Sequence, residues 1–167
     1  DAAIYINHSH PDPKIREIFS DIRFRRALSL AIDREEINTK VYYGAAVPRQ
    51  TTVPSTNRRF REEFARAYAD YDPERAQNLL EEMGMVDEDG DGFRETPSGE
   101  KFNPTFLYCK YDIDPTPILE MVRKFWADIG INVDLKMVSR ELHDTRKRAN
   151  NFDIGCWAVD MSFGTRF

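Results

Sequence analysis

Between Phe102 and Asp160 the sequence switches four times between strand-like and helix-like segments, and this alternation decides what the chain can become. The apolar run Phe102 to Cys109 is short, aromatic and β-favouring, and its Pro104 is tolerable only at an edge or at an irregular strand entry. Ile118, Met121, Val122, Phe125 and Ile129 then recur at helical spacing and share one face. Thr116 can cap that helix, Pro117 suits its first turn, and Gly130 suits the left-handed residue that ends it. Ile131, Val133, Leu135 and Met137 alternate with Asn132, Asp134 and Lys136, a strand with one wet face, as expected near a sheet edge. Residues 140–150 are polar apart from Leu142 and Ala149 and read as an exposed helix. Phe152 to Val159 is almost continuously apolar, a strand covered on both faces. Two successive strand-helix-strand crossovers imply parallel strands with right-handed connections, hence an α/β fold with a mainly parallel sheet flanked by helices. In such open sheets ligands sit beyond the carboxyl ends of the strands, which puts Asp160 at the edge of the crevice.

A chain of 167 residues, 41% of them hydrophobic, can bury a sizeable core as one domain spanning residues 1–167. The charged fraction of 32% and mean hydropathy of -0.62 describe a water-facing surface, and no apolar run nears the length a bilayer requires. A net charge of -5 argues against a nucleic-acid partner, because phosphate binding needs clustered basic charge. The basic runs Arg23-Phe24-Arg25-Arg26 and Arg146-Lys147-Arg148 read as solvated helix faces. Cys109 and Cys156 cannot make a disulfide framework; a single bridge between them is one option and buried free thiols are the default. The opening Asp1-Ala2-Ala3-Ile4 lacks a methionine, so the chain reads as an excised piece, and a missing export signal carries no information.

Ahead of the central stretch, Ile4 to Asn7 reads as a short strand followed by a Pro-rich turn. Phe24, Ala27, Leu28 and Ala31 trace one helical face after a cap at Ser20 or Asp21. Asp33 with Glu36 starts a second helix that Gly44 stops. Residues 45–59 have no period and form a long loop of the kind that is usually functional. Asp72-Pro73 opens another helix, with Ala76, Leu79, Leu80 and Met83 on one face. Asp87, Asp89, Asp91 and Gly92 imitate the start of a calcium loop, but its twelfth position is Ser98 where a bidentate glutamate belongs, so a turn whose aspartates bond their own backbone is the plainer reading. His8 and His10 would point the same way on an extended chain but have no third ligand nearby, and His143 has no evident partner on its exposed helix. No nucleophile elbow, phosphate loop or zinc-protease helix occurs, so the sequence contains no enzyme signature and names no cofactor or metal.

Several of these pieces together resemble extracellular solute-binding protein family 5, the receptors of ABC importers for oligopeptides, dipeptides and nickel. The resemblance rests on Asp21-Ile22-Arg23-Phe24-Arg25-Arg26-Ala27-Leu28-Ser29-Leu30-Ala31-Ile32-Asp33-Arg34-Glu35-Glu36-Ile37. It continues through Tyr71-Asp72-Pro73-Glu74-Arg75-Ala76 with Leu79-Leu80, Asp89-Gly90-Asp91-Gly92, Ile129-Gly130-Ile131, and Phe152-Asp153-Ile154 with Trp157, in the family's order. It implies one lobe of a two-lobed, type II periplasmic-binding-protein-like receptor, the later lobe in sequence, working outside the cytoplasm with a membrane permease and anchored by lipid in the parent protein. It further implies that Asp160, three residues after Trp157, pairs with the α-amino group of a peptide-like ligand, and that Trp157 offers stacking or cation contacts. Read without the resemblance, Asp160 is a strand-end carboxylate capping a turn and Trp157 is core packing. Met161-Ser162-Phe163-Gly164 replaces the acidic, Pro-rich run that often follows in peptide-binding members, so oligosaccharides and metal chelates stay open as ligands. The rival expectation from another class is a structural or interaction module that uses the acidic loop for calcium.

Overall fold

The computed structural model describes residues 2–111 and 114–157. Among the described residues four short strands, β1 (Ala3–Ile6), β2 (Thr105–Tyr108), β3 (Asp134–Met137) and β4 (Ile154–Trp157), make one sheet in the order β1-β4-β2-β3. β2 is parallel to β3 and to β4, whereas β1 runs antiparallel to β4 with Ala3 opposite Trp157. The expected edge position of β3 and central position of β4 both hold: β3 is exposed except at Leu135, and Ile154, Gly155 and Cys156 are buried. Pro104 precedes β2 and, through its carbonyl, takes the amide of Asp134 at 3.1 Å.

The crossover helices are α6 (Thr116–Ala127) and α7 (Arg140–Arg148), with α1 (Pro13–Ser20), α2 (Ile22–Leu30), α3 (Arg34–Tyr42), α4 (Glu62–Arg66) and α5 (Pro73–Glu81) ahead of them. The steps from β2 to β3 and from β3 to β4 run in opposite directions across the sheet, so right-handed connections put α6 and α7 on opposite faces. The main core lies on the α6 face, where Phe106, Tyr108, Ile154 and Cys156 pack with Leu119, Val122 and Trp126. Trp126 is 1% exposed, stacks on Phe106 with centroids 5.6 Å apart, and donates its indole N–H to Leu28 O at 3.0 Å, joining α2 to the sheet through α6. Cys109 and Cys156 are buried and free. Strand alternation puts Cys156 with Ile154 on that face and Cys109 with Leu107 on the other, so a bridge would have to cross the sheet.

The stretch Asp21 to Ile37 does local structural work, which corrects the solvated-face reading of its arginines. Asp21 caps α2 at the Arg23 amide and pairs with the Arg23 guanidinium at 2.6 Å. Arg25 donates to Phe19 O and Ser20 O, the last carbonyls of α1, and Arg26 lies 4.5 Å over the Tyr68 ring. Arg34 donates to Ser29 O, Ile32 O and Ala69 O around the end of α2, and burial holds its pKa below the usual arginine value. Arg25 and Arg34 thereby place a positive charge at helix-end carbonyls, which favour it. Asp33 caps α3 through the Glu36 amide at 2.8 Å, as its spacing predicts. At α6, however, Pro115 holds the cap position and Asp114 before it accepts from the Thr116 amide and hydroxyl, so Thr116 does not cap the helix.

Candidate functional site

The carboxyl ends of β2, β3 and β4 converge on one rim. β2 runs out through Cys109 and Lys110 to Tyr111. β3 ends at the exposed Met137, two residues before Ser139, whose hydroxyl caps α7. β4 ends at Trp157, half-buried, with the Tyr111 ring at 5.8 Å and the Arg140 guanidinium 5.2 Å over its indole. Two aromatic rings beside a cation at a strand-end crevice can hold a flat or apolar group and meet an anionic one. Asp160, the other expected site residue, lies outside the described residues.

Behind Trp157 stands a residue that sequence reasoning placed wrongly. His143 is 0% exposed: it is the residue α7 turns to the sheet, while Leu142 is 42% exposed. Its imidazole stacks on Trp157 with centroids 5.2 Å apart and planes 19° apart, and its Nε2 meets the Tyr5 hydroxyl at 3.1 Å. Tyr5 fits there only because Gly155 faces it; a Cβ at that position would come within 2.4 Å of the Tyr5 ring. Burial pushes the Tyr5 phenol up to about 12 and holds the His143 imidazole below its ordinary 6.5, so both are uncharged at neutral pH.

The remaining candidates serve the scaffold. His10 pairs with Asp153 at 2.9 Å, and the other Asp153 oxygen takes the Thr105 amide at 2.7 Å, so this carboxylate ties the end of β1 to the start of β2. His8 is exposed, and among the described residues neither histidine belongs to a group of three or more possible metal ligands. In the acidic loop Asp87 accepts from the amides of Gly90 and Gly92, Asp89 from Asp91, and Asp91 from Phe93, the backbone-bonded turn that the spacing allows. Ligand oxygens of the three aspartates lie within 4.8 Å of one another, but the Lys101 ammonium already sits 3.1 Å from Asp89 and 3.0 Å from Asp91. Millimolar calcium should therefore leave the melting temperature unchanged; a rise reversed by chelator would mean that the ion displaces Lys101.

A groove of about 750 Å³ runs along β1, from Ala2 to His8, between the strand, α2, α3, α6 and the loop around Val47 to Thr52. Gln50 pins that loop by donating to Ser29 Oγ, Ala67 O and Tyr68 O. The groove lining does not include Trp157, so the loop and the strand-end rim are separate features.

Residues 2–165 match the family model described as bacterial extracellular solute-binding proteins, family 5 Middle. The chain belongs to this family. The Heme-binding protein A of Haemophilus influenzae is 30% identical over 136 residues, covering 81% of this chain and 22% of that protein. The Dipeptide-binding protein of Escherichia coli is 28% identical over 131 residues, covering 78% of this chain and 22% of that protein. Among solved structures, an oligopeptide-binding protein OppA superposes with a TM-score of 0.88 at 38% identity over 93% of this family 5 chain and 24% of its own. A mannohexaose-bound periplasmic oligopeptide-binding protein from Thermotoga maritima gives 0.74 at 29% identity, over 93% and 29%. The fold is thus the α/β, type II periplasmic-binding-protein architecture, and this family 5 chain spans about a fifth of the curated relatives it matches. Those relatives are solute-binding proteins named for peptides, heme and galactosides, and the family is extracellular by description.

Proposed function

We propose that residues 1–167 form one lobe of the substrate receptor of an ABC importer, which captures a peptide-like ligand between two lobes and delivers it, unreacted, to a membrane permease outside the cytoplasm. The observation that carries this reading is Trp157: a half-buried indole at the end of the central parallel strand, with an aromatic ring and a guanidinium around it. In this reading Asp160 pairs with the ligand ammonium, a charge-assisted bond that gains strength once closure excludes water, and Trp157 covers the neighbouring apolar group. Peptides are favoured because the dipeptide-binding and oligopeptide-binding relatives are named for them. Other relatives are named for heme and alpha-galactosides, and a solved one holds mannohexaose, so peptide preference is the finer part of the proposal.

Titration calorimetry tests both parts. The complete receptor should bind trialanine with a micromolar or tighter dissociation constant, while residues 1–167 alone, lacking the opposite wall and unable to close, should bind it weakly or not at all. Sub-micromolar binding by the isolated chain would remove the need for a second lobe. A complete receptor that ignores trialanine and takes up stachyose would keep the receptor and replace its ligand class.

A further inference from the structure

The geometry points to His143 as the positioning residue of the strand-end site: held by Tyr5, its imidazole fixes the Trp157 indole in the pose offered to ligand. The inference deepens the receptor reading and rests on it for the words "offered to ligand"; the mechanical part stands on contacts alone.

An apolar side chain would fill the centre of α7 without stranding a nitrogen. The imidazole there has Nε2 on the Tyr5 hydroxyl, while Nδ1 is buried without a hydrogen-bond partner among the described residues, 3.7 Å from the nearest Asp144 oxygen. A buried unsatisfied polar atom is costly, and two returns follow from it that an alkyl group lacks. The ring is planar and nearly parallel to the indole, so it sets the tilt of Trp157 as well as its distance. The hydrogen bond to Tyr5 then fixes the imidazole's own rotation. Tyr5 in turn has little freedom, seated over Gly155 with the Phe152 edge at 5.6 Å and the Lys147 ammonium 4.9 Å from its face. The support runs from β4 through β1 and α7 back to β4.

Protonation adds a charge to this arrangement. The neutral ring can accept from or donate to the Tyr5 hydroxyl at Nε2 according to its tautomer, whereas the cation can only donate there. The groups facing the imidazole are Tyr5 on β1, Trp157 on β4, and Asp144 and Lys147 on its own helix, with Arg140 over the indole and the Cys109 and Cys156 thiols near Tyr5. Asp144 is the carboxylate that favours the charged ring, and it is outweighed by burial, with Lys147 adding to the opposition. The imidazole is therefore neutral at neutral pH and takes up its proton as pH falls below 6.5, which places a cation against the indole face.

Fluorescence reads the mechanical part without any ligand. The chain has two tryptophans, and Trp157 carries the signal, because a protonated imidazole against an indole quenches its emission. Wild-type chain should lose emission in one transition with a midpoint below 6.5, with far-UV circular dichroism unchanged across it. The transition should be absent in His143→Phe, which keeps a ring in place but cannot titrate, and in Trp157→Phe. A transition that survives in His143→Phe, or one that coincides with loss of helical signal, overturns the inference. In the complete receptor, His143→Ala should weaken trialanine binding at neutral pH by up to about tenfold, the worth of one aromatic stack, and His143→Phe should restore it. If the emission transition behaves as described while neither variant changes affinity, His143 positions the indole and it is the ligand role of Trp157 that fails.

Discussion

Trp126→Ala should destabilise the chain by about 4 kcal/mol, the usual cost of removing a fully buried large aromatic side chain. The ring is stacked on Phe106 of β2, and its N–H is on Leu28 O of α2, so the substitution opens a cavity and orphans a carbonyl in the same place. Domains of this size have roughly 5–15 kcal/mol in total, so the variant should be marginal or unfolded at 37 °C. Urea denaturation would show the midpoint falling with the slope preserved. Trp126→Phe, which keeps a stacked ring and loses only the hydrogen bond, should cost about 1 kcal/mol beyond its smaller volume. An unchanged midpoint in Trp126→Ala would mean that the helical layer is not joined to the sheet through this ring.

Asp160→Ala in the complete receptor should lower affinity for trialanine by roughly 30- to 4000-fold, the range expected when one partner of a shielded charge pair is removed and the other is left without its counter-charge. N-acetyl-trialanine supplies the control. It has no ammonium, so wild type should bind it poorly and Asp160→Ala should make little further difference. If the substitution lowered affinity for both peptides equally, Asp160 would be supporting the fold of the rim, and the amine would have to be recognised elsewhere.

Much of the sheet was legible because its strands and crossover helix keep a single periodicity over enough residues to be read. The α6 stripe, the wet face of β3 and the buried run of β4 all follow from side-chain spacing. α1 was missed although Asp12-Pro13 carries the same cap-and-proline signal as Asp72-Pro73, and Asp12 indeed accepts the Lys14 amide. α4 has five residues and no apolar stripe to find. The arginines of the Asp21 to Ile37 stretch could not be placed from sequence because several of their acceptors are carbonyls on other turns, 35 residues away for Arg34 and Ala69 and 59 for Arg23 and Glu82. His143 was read as exposed because the helix around it is polar and histidine carries no apolar signal. What could have found it is a mismatch: a helix crossing a sheet must bury something, and α7 offers almost nothing else. Gly155, in the middle of a buried strand, was the matching sign that a bulky neighbour needs room.

The antiparallel register that sets Ala3 beside Trp157 has a mechanical consequence. Of the described strands, the first begins and the last ends at a single corner of the sheet, one strand spacing apart. Any body joined to this one through both connections would swing about a line through that corner, and the motion would be felt first at the indole standing on it.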